Sequence, residues 1–179
     1  MERTVSLLQG KETAIECEWV VPWDTGAPLP HVVSNGHRNF LAYYVNDSHP
    51  RWDASLFPDT ESYDEGRDLI AVVEFDWCYS FKFGGVNDET WPGHPLYNRG
   101  LDGYGAHIIK NSRWLNEERE IQASHRCFDA DHWDNMKHYF LAFHDESFEC
   151  IARGFNFEVT RDNMDNVTKN LQRRLFERL

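Results

Sequence analysis

The 179-residue sequence lacks the short motifs of the common nucleotide-binding and hydrolytic folds. It contains no GxGxxG, GxxxxGK[ST] or GxSxG pattern, so a Rossmann enzyme, a P-loop NTPase or an α/β-hydrolase is not expected. Its four cysteines show no CxxC or zinc-finger spacing, and the histidines show no H-x-H or H-E-x-x-H spacing. The sequence therefore predicts no metal site and identifies no cofactor.

Basic charge is also scarce. Eighteen lysines and arginines face thirty acidic residues, which gives a formal net charge of −12. Because DNA binding relies on basic patches that displace counterions, no nucleic-acid partner is expected. Nine acidic residues and two arginines lie in residues 45–76, a pattern typical of a solvated surface and compatible with a cationic partner.

Long apolar runs are missing. Residues 1–13 are polar and lack the apolar centre of a signal peptide, and no run approaches the length of a membrane span. The sequence therefore predicts no membrane partner and a cytoplasmic location with reduced thiols.

What the sequence has is aromatic residues, at 15% of the chain, and enough length for one domain, 1–179, with a real core. Its central feature is residues 69–83, in which every odd position is apolar. This alternation predicts a strand with one apolar face. Fifteen residues would span about 50 Å, far beyond a usual strand of about 5–6 residues, so the strand must bend or carry a bulge.

Similar reasoning divides the rest of the chain. Strands are predicted at 14–21, 38–45, 106–110 and in a hairpin at 138–159, with helices at 111–125, 130–136 and 161–179. The region 22–36, rich in Pro and Gly, reads as a loop. The predicted fold class is α+β and sheet-dominated, with a mostly antiparallel, strongly curved sheet, sandwich-like or barrel-like, a mid-chain helix and a C-terminal helix.

The hairpin at 138–159 has the clearest register. If Phe143 faces Phe148, the apolar side chains of both strands fall on one face, whereas a one-residue slip would divide them. Beyond Gly154 the apolar positions change parity, so a β-bulge is predicted there.

Residues 84–105 form the principal candidate site. This stretch holds six of the eleven glycines and is longer than most ordered loops. Its aromatic residues argue against disorder. We expect either a lid over a small-ligand pocket or an Ω-type loop that only covers the sheet. The predicted ligand-binding residues are Trp91, His94, Tyr97, Arg99, Tyr104 and His107.

Two histidine clusters favour an enzyme as the alternative. His138 and Glu149 are predicted on the same face of the hairpin, and the adjacent His144 and Asp145 could form an acid–base pair at its turn. A metal site would require that His94, His107, Glu74 and Asp76 converge, which their spacing does not indicate.

Three functions therefore remain open. The first is small-ligand binding under the loop 84–105, and the second is a histidine–carboxylate enzyme, with or without a metal. The third is an acidic interaction or inhibitor protein for a basic partner. The sequence does not determine the oligomeric state.

Overall fold

The computed structural model describes residues 10–57 and 66–177. Within them the chain forms nine strands: β1 (Thr13–Glu16), β2 (His31–Ser34), β3 (Asn39–Tyr44), β4 (Asp68–Asp76), β5 (Ser80–Phe83), β6 (Ala106–Lys110), β7 (Lys137–Ala142), β8 (Ser147–Ala152) and β9 (Gly154–Asp162). The helices in the described ranges are α1 (Arg113–Gln122), α2 (Ala130–Asp134) and α3 (Met164–Arg174).

The strands form two antiparallel sheets. One has the order β1-β6-β7-β8-β5 and the other the order β2-β3-β4-β9, and the sheets do not close into a barrel. The predicted α+β, sheet-dominated class is confirmed, in its sandwich-like form. None of the helices in the described residues combines the length and apolar character that a bilayer-spanning segment needs.

Strand β4 explains why two layers of core form around the four-stranded sheet. Its odd positions, such as Val73 and Phe75, pack in the main core between the sheets. Its even positions Ile70 and Val72 pack instead against α3, whose Leu171 is 1% exposed. Alternation places successive side chains on opposite faces, so a strand that is apolar on both faces lies in the middle of a layered structure.

The long strand predicted at 69–83 is two strands in two sheets. β4 ends at Asp76, and β5 begins at Ser80 after a bend at Trp77, where φ is +51°. The partner strands bend at the same place, because Asp76 pairs with Gly154 and Ser80 pairs with Ile151. One antiparallel ribbon therefore passes from one sheet into the other, as at the corners of orthogonally packed sheets.

The bulge predicted at Gly154 lies on the opposite strand. Three residues, 77–79, separate Asp76 from Ser80, whereas two residues, 152 and 153, separate Ile151 from Gly154. The extra residue is therefore in 77–79. At Gly154 the chain changes sheets, which is why the apolar parity changes there, and a 2.7 Å ion pair between Arg153 and Asp76 spans the bend.

The hairpin β7–β8 has the predicted faces but not the predicted register. Phe148 pairs with Leu141 rather than with Phe143. The difference is two residues, and an even shift keeps every side chain on its face. Tyr139, Leu141, Phe143, Phe148 and Cys150 all remain in the main core.

Two strand predictions are wrong. The strand predicted at 14–21 ends at Glu16, although Trp19 and Val21 remain buried. The Cys17 amide still donates to the Ala106 carbonyl oxygen at 2.8 Å, and the chain beyond it lines the core outside the ladder. In the region 22–36, predicted to be a loop, β2 pairs with β3. The C-terminal helix begins at Met164, after an Asn163 cap, because β9 extends to Asp162.

Gly100 provides a test of how the loop 84–105 is fixed to the edge strand β1. A Cβ atom there would lie 2.3 Å from the Ala14 carbonyl oxygen, and Gly100 has φ +85°. Gly36 has φ +84° but no heavy atom within 4 Å of such a Cβ. We expect Gly100→Ala to lower the free energy of unfolding by roughly 2–4 kcal/mol and Gly36→Ala by about 1 kcal/mol. Urea denaturation measures both, and equal losses would contradict this packing.

Candidate functional site

The loop 84–105 packs on the outer face of the five-stranded sheet. Trp91, Leu96 and Leu101 are buried against the sheet residues Phe140 and Ala142. At the end of the loop the Arg99 carbonyl oxygen accepts a hydrogen bond from the Ala14 amide at 2.8 Å. The loop's own apolar side chains thus occupy the space between the loop and the sheet.

The six predicted ligand-binding residues do not form one group. Trp91 and His94 stack at 5.8 Å between ring centroids, and His94 also contacts Phe140. Tyr97 is 42% exposed, and the Arg99 side chain lines a shallow groove with Glu12 and Arg113.

The remaining two predicted residues lie at the other end of the loop. The Tyr104 hydroxyl donates to Asp88 at 3.0 Å, and Tyr104 has φ +60°. His107 is 3% exposed, and its Nε2 accepts from the Asp102 amide at 3.2 Å. Small-ligand binding by these six residues stays a prediction.

The metal site that would need His94, His107, Glu74 and Asp76 does not form. Glu74 lies on the other sheet, where its carboxylate accepts from Arg38 at 2.7 Å, and Asp76 pairs with Arg153. No group of three His, Cys, Asp or Glu side chains within residues 10–57 and 66–177 could hold a metal ion.

A buried polar network lies between the start of α1 and the five-stranded sheet. His138 Nδ1 is 2.8 Å from Ser112 Oγ, and His138 Nε2 is 2.8 Å from Glu149 Oε2. Lys82 Nζ is 3.6 Å from the same carboxylate and 3.8 Å from the centroid of the Trp114 ring. The strand period predicts His138 and Glu149 on one face, but the contact with Ser112 depends on tertiary packing.

Ser112, His138 and Glu149 follow one another like the nucleophile, base and carboxylate of a catalytic triad, but their arrangement has a structural role. Ser112 is 3% exposed, and its Oγ accepts from the Leu115 amide as the cap of α1. A nucleophile must reach its substrate, and this hydroxyl is enclosed. The network therefore attaches the start of α1 to the sheet.

The charges in the network stabilise each other. Burial acts to raise the pKa of Glu149, but the hydrogen bond from His138 and the nearby Lys82 outweigh it, so the pKa lies below its usual value. Burial lowers the pKa of His94, which lies close to this cluster. Both shifts favour a carboxylate beside an uncharged His94.

The second histidine pair is exposed. His144 Nδ1 is 2.9 Å from Asp145, and His144 Nε2 is 3.6 Å from Asp88. The hydrogen bond to Asp145 raises the pKa of His144. The predicted acid–base pair is thus in contact, at a surface turn.

Four exposed aromatic side chains follow one another at the bend and along β5, and we call them the aromatic edge: Trp77, Tyr79, Phe81 and Phe83. These side chains are 62%, 41%, 37% and 44% exposed. Aromatic side chains bury roughly 150–250 Å² each, so about 400 Å² of ring surface remains open. Exposed apolar surface of this extent at one edge of a sheet is characteristic of a binding surface. Sequence alternation predicts these residues on one buried face, but the extra residue in 77–79 divides them. Trp77 and Tyr79 contact His132 and Trp133 of α2, whereas Phe81 and Phe83 lie on the core side of β5.

Strand β5 ends the five-stranded sheet, which explains this exposure. Phe81 pairs with Cys150 and Phe83 with Phe148, so both rings lie on the core side of the sheet. Cys150 and Phe148 are at most 1% exposed, so the cover provided by the other sheet ends between β8 and β5.

Comparison of the chain with protein-family models, curated proteins and solved structures finds no match.

Glu149 gives a test of the buried network. Glu149→Gln removes a carboxylate that accepts from His138, and we expect a loss of about 1–3 kcal/mol in the free energy of unfolding at pH 7. The pKa of Glu149 in the folded state is lowered from 4.5. The difference in the free energy of unfolding between Glu149→Gln and the unaltered protein should therefore be complete above pH 4.5 and should shrink as the pH falls below it. Urea denaturation at pH 7 and pH 4 measures it. A difference that grows in acid would contradict the assignment.

His107 gives a second pH test. Burial lowers its pKa from 6.5, so the unfolded chain takes up the proton first and stability should fall as the pH drops below 6.5. We expect His107→Gln to reduce the loss of stability between pH 7 and pH 5. His37→Gln, at an exposed turn, is the control and should leave that loss unchanged.

Proposed function

We propose that this protein binds a basic protein partner, which adds an extended segment to β5 along the aromatic edge. The observation that carries the proposal is the exposure of Phe81 and Phe83 on an edge strand with one free side, next to the exposed Trp77 and Tyr79 at the bend that precedes the strand. Tryptophan and tyrosine are enriched among the residues that dominate binding energy at interfaces.

The free side of β5 has the backbone geometry for strand addition. The Gly84 amide donates to the Ser147 carbonyl oxygen at 3.0 Å. Hydrogen-bonding direction alternates along an antiparallel strand, so the amide and carbonyl groups of Phe81 and Phe83 point away from β8. An incoming strand can pair with these groups while the rings contact its side chains.

The charges around the aromatic edge favour a cationic segment. Glu118 lies near the Tyr79 hydroxyl at one end, and Asp145 and Glu146 occupy the turn beside Gly84 at the other. The cations Lys82 and Arg153 already have carboxylate partners. Acidic groups at both ends therefore complement basic groups that flank an apolar centre.

A second copy of the chain fits this edge less well. Each copy carries a net charge of −12, and two copies would repel each other. In antiparallel pairing of two β5 strands about Lys82, this lysine would also face itself, and like charges directly opposite are destabilising. The geometry thus favours a different, basic chain.

We propose the cytoplasm as the location of this interaction. All four cysteines are free, and the thiols of Cys78 and Cys150 are close enough to hydrogen-bond to each other. Neighbouring free thiols are typical of a reducing compartment.

A labelled peptide of sequence KKVTVTVKK is a direct probe of the edge. We expect it to bind at low salt, with affinity falling about tenfold or more when Phe83 is changed to Ser, and to weaken as salt is added. Fluorescence anisotropy measures binding. The matched control is Phe176→Ser, which removes an 82% exposed ring away from β5 and should change nothing.

Two further peptides separate the charge from the strand pairing. EEVTVTVEE should bind at least about tenfold more weakly than the lysine peptide if the acidic flanks contribute. KKVTPTVKK, which lacks the central amide donor, should also lose affinity. Equal binding of all three peptides, or dimerisation of the protein through β5 in light scattering, would overturn the proposal.

A further inference from the structure

A second feature, separate from the aromatic edge, is a groove where β1 begins, between the loop 84–105 and the start of α1. It opens to solvent and has a volume of about 340 Å³, within the range of about 300–1,000 Å³ that is usual for small-ligand sites. We call it the basic groove, and it is lined by Gly10, Lys11, Glu12, Pro95, Arg99 and Arg113.

The three cations in the basic groove are accessible to solvent. Lys11 and Arg99 are exposed residues, and the Arg113 side chain is 71% exposed. Neither Lys11 nor Arg99 forms an ion pair within the ranges 10–57 and 66–177. In a chain with thirty acidic residues, two neighbouring cations thus remain without an anionic partner in the part of the chain that the structure describes.

Glu12, the acidic residue in the lining, holds Arg113 in place. Its Oε1 accepts from the Arg113 amide and its Oε2 from Arg113 Nε, both at 2.8 Å. Burial acts to raise the pKa of Glu12, but these hydrogen bonds outweigh it, so the pKa lies below its usual value. Because the bonds use Nε, the Nη groups of Arg113 stay available to a ligand. Three cations and one carboxylate give the lining a net charge of +2.

The backbone that carries these cations is fixed. The Ala14 amide donates to the Arg99 carbonyl oxygen at 2.8 Å, and a Cβ on Gly100 would lie 2.3 Å from the Ala14 carbonyl oxygen. Arg113 is the first residue of α1 and follows the buried cap Ser112. A ligand therefore meets cations on positioned segments of the chain, which lowers the cost of ordering them on binding.

The charge of the whole chain favours a small anion over a large one. At a net charge of −12, the protein repels a nucleic acid or an anionic membrane, each of which would approach over a wide surface. A small ion enters the groove and interacts with the cations there, because charges farther away than a Debye length of about 8 Å are largely screened.

The number of cations favours phosphate over carboxylate. Guanidinium groups match the oxygens of both anions. A carboxylate offers one charge and two oxygens, whereas a phosphate monoester carries a charge of about −1.5 to −2 and three acceptor oxygens. Three cations around a local charge of +2 therefore suit the phosphate group.

We propose that the basic groove binds a phosphate dianion, free or as the head of a small monoester, with its oxygens between Lys11, Arg99 and Arg113. The groove has the volume of about eleven waters at about 30 Å³ each, so a short organic group also fits beside the phosphate.

Inorganic phosphate and glycerol 3-phosphate are the probes, and nitrogen-15 NMR spectra are the readout. At low salt and pH 7 we expect both probes to shift the amide signals of Lys11, Arg99 and Arg113 saturably, with a dissociation constant of about 1 mM. Acetate at equal ionic strength should bind at least about tenfold more weakly. Tighter binding of glycerol 3-phosphate would identify the monoester as the ligand, and equal binding would identify the free ion.

Matched variants separate the basic groove from the general charge of the protein. Arg99→Gln should weaken phosphate binding about tenfold or more, and it should keep the fold because Arg99 contacts Ala14 through its backbone. Lys11→Gln, at a second exposed position, should also weaken binding. The control is Arg126→Gln, which removes the same charge from an exposed site beyond the far end of α1 and should leave binding unchanged.

Several outcomes would overturn the inference. They are unmoved signals at about 20 mM phosphate (about twenty times the expected constant), equal affinities for phosphate and acetate, unchanged binding in Arg99→Gln, and an equal loss in Arg126→Gln. Binding to phosphatidic acid vesicles without a response to either probe would do the same, because it would indicate a membrane surface. None of these results bears on the aromatic edge, which lies at β5.

Discussion

The corner at which one strand pair passes from the first sheet into the second is the constraint on which the rest of the structure depends. The ribbon β4–β9 continues as β5–β8, and the extra residue in 77–79 produces the turn between them. Phe75 and Phe148 stack at 5.2 Å on its inner side, so the corner is filled by core. Because the ribbon turns here, β4 and β8 lie inside their sheets, and β9 and β5 lie at the edges.

This arrangement leaves β5 as an edge that the second sheet does not cover. Proteins usually protect such an edge with charge, a short strand or a covering element. Here β5 has four residues and one lysine, yet its aromatic side chains remain open to solvent. The short strand and its lysine thus disfavour pairing between two copies of β5, while the exposed rings keep the apolar surface that a partner needs. The fold and the proposed function share this origin.

The polar residues show how far sequence reasoning reaches toward a site. A period of two places His138 and Glu149 on one face, and the structure confirms their contact. Ser112 joins them from α1, 26 positions away from His138, so only packing shows that its hydroxyl is enclosed. Likewise, a loop rich in glycine and aromatics predicts either a lid or an Ω-type cover for the sheet, and only the structure shows that Trp91 and Leu101 pack in the space beneath it.

The sequence by itself determined the local properties of the chain: the strand faces of the hairpin, the C-terminal helix and the discontinuity near Gly154. Side-chain alternation reports these because exposure repeats with the period of the element. Only the tertiary structure decided that 69–83 belongs to two sheets, that residues 31–34 pair with β3 and that the alternating aromatics beyond Asp76 are exposed. A pattern records which face is apolar, whereas the partner that covers the face comes from residues far away in the chain.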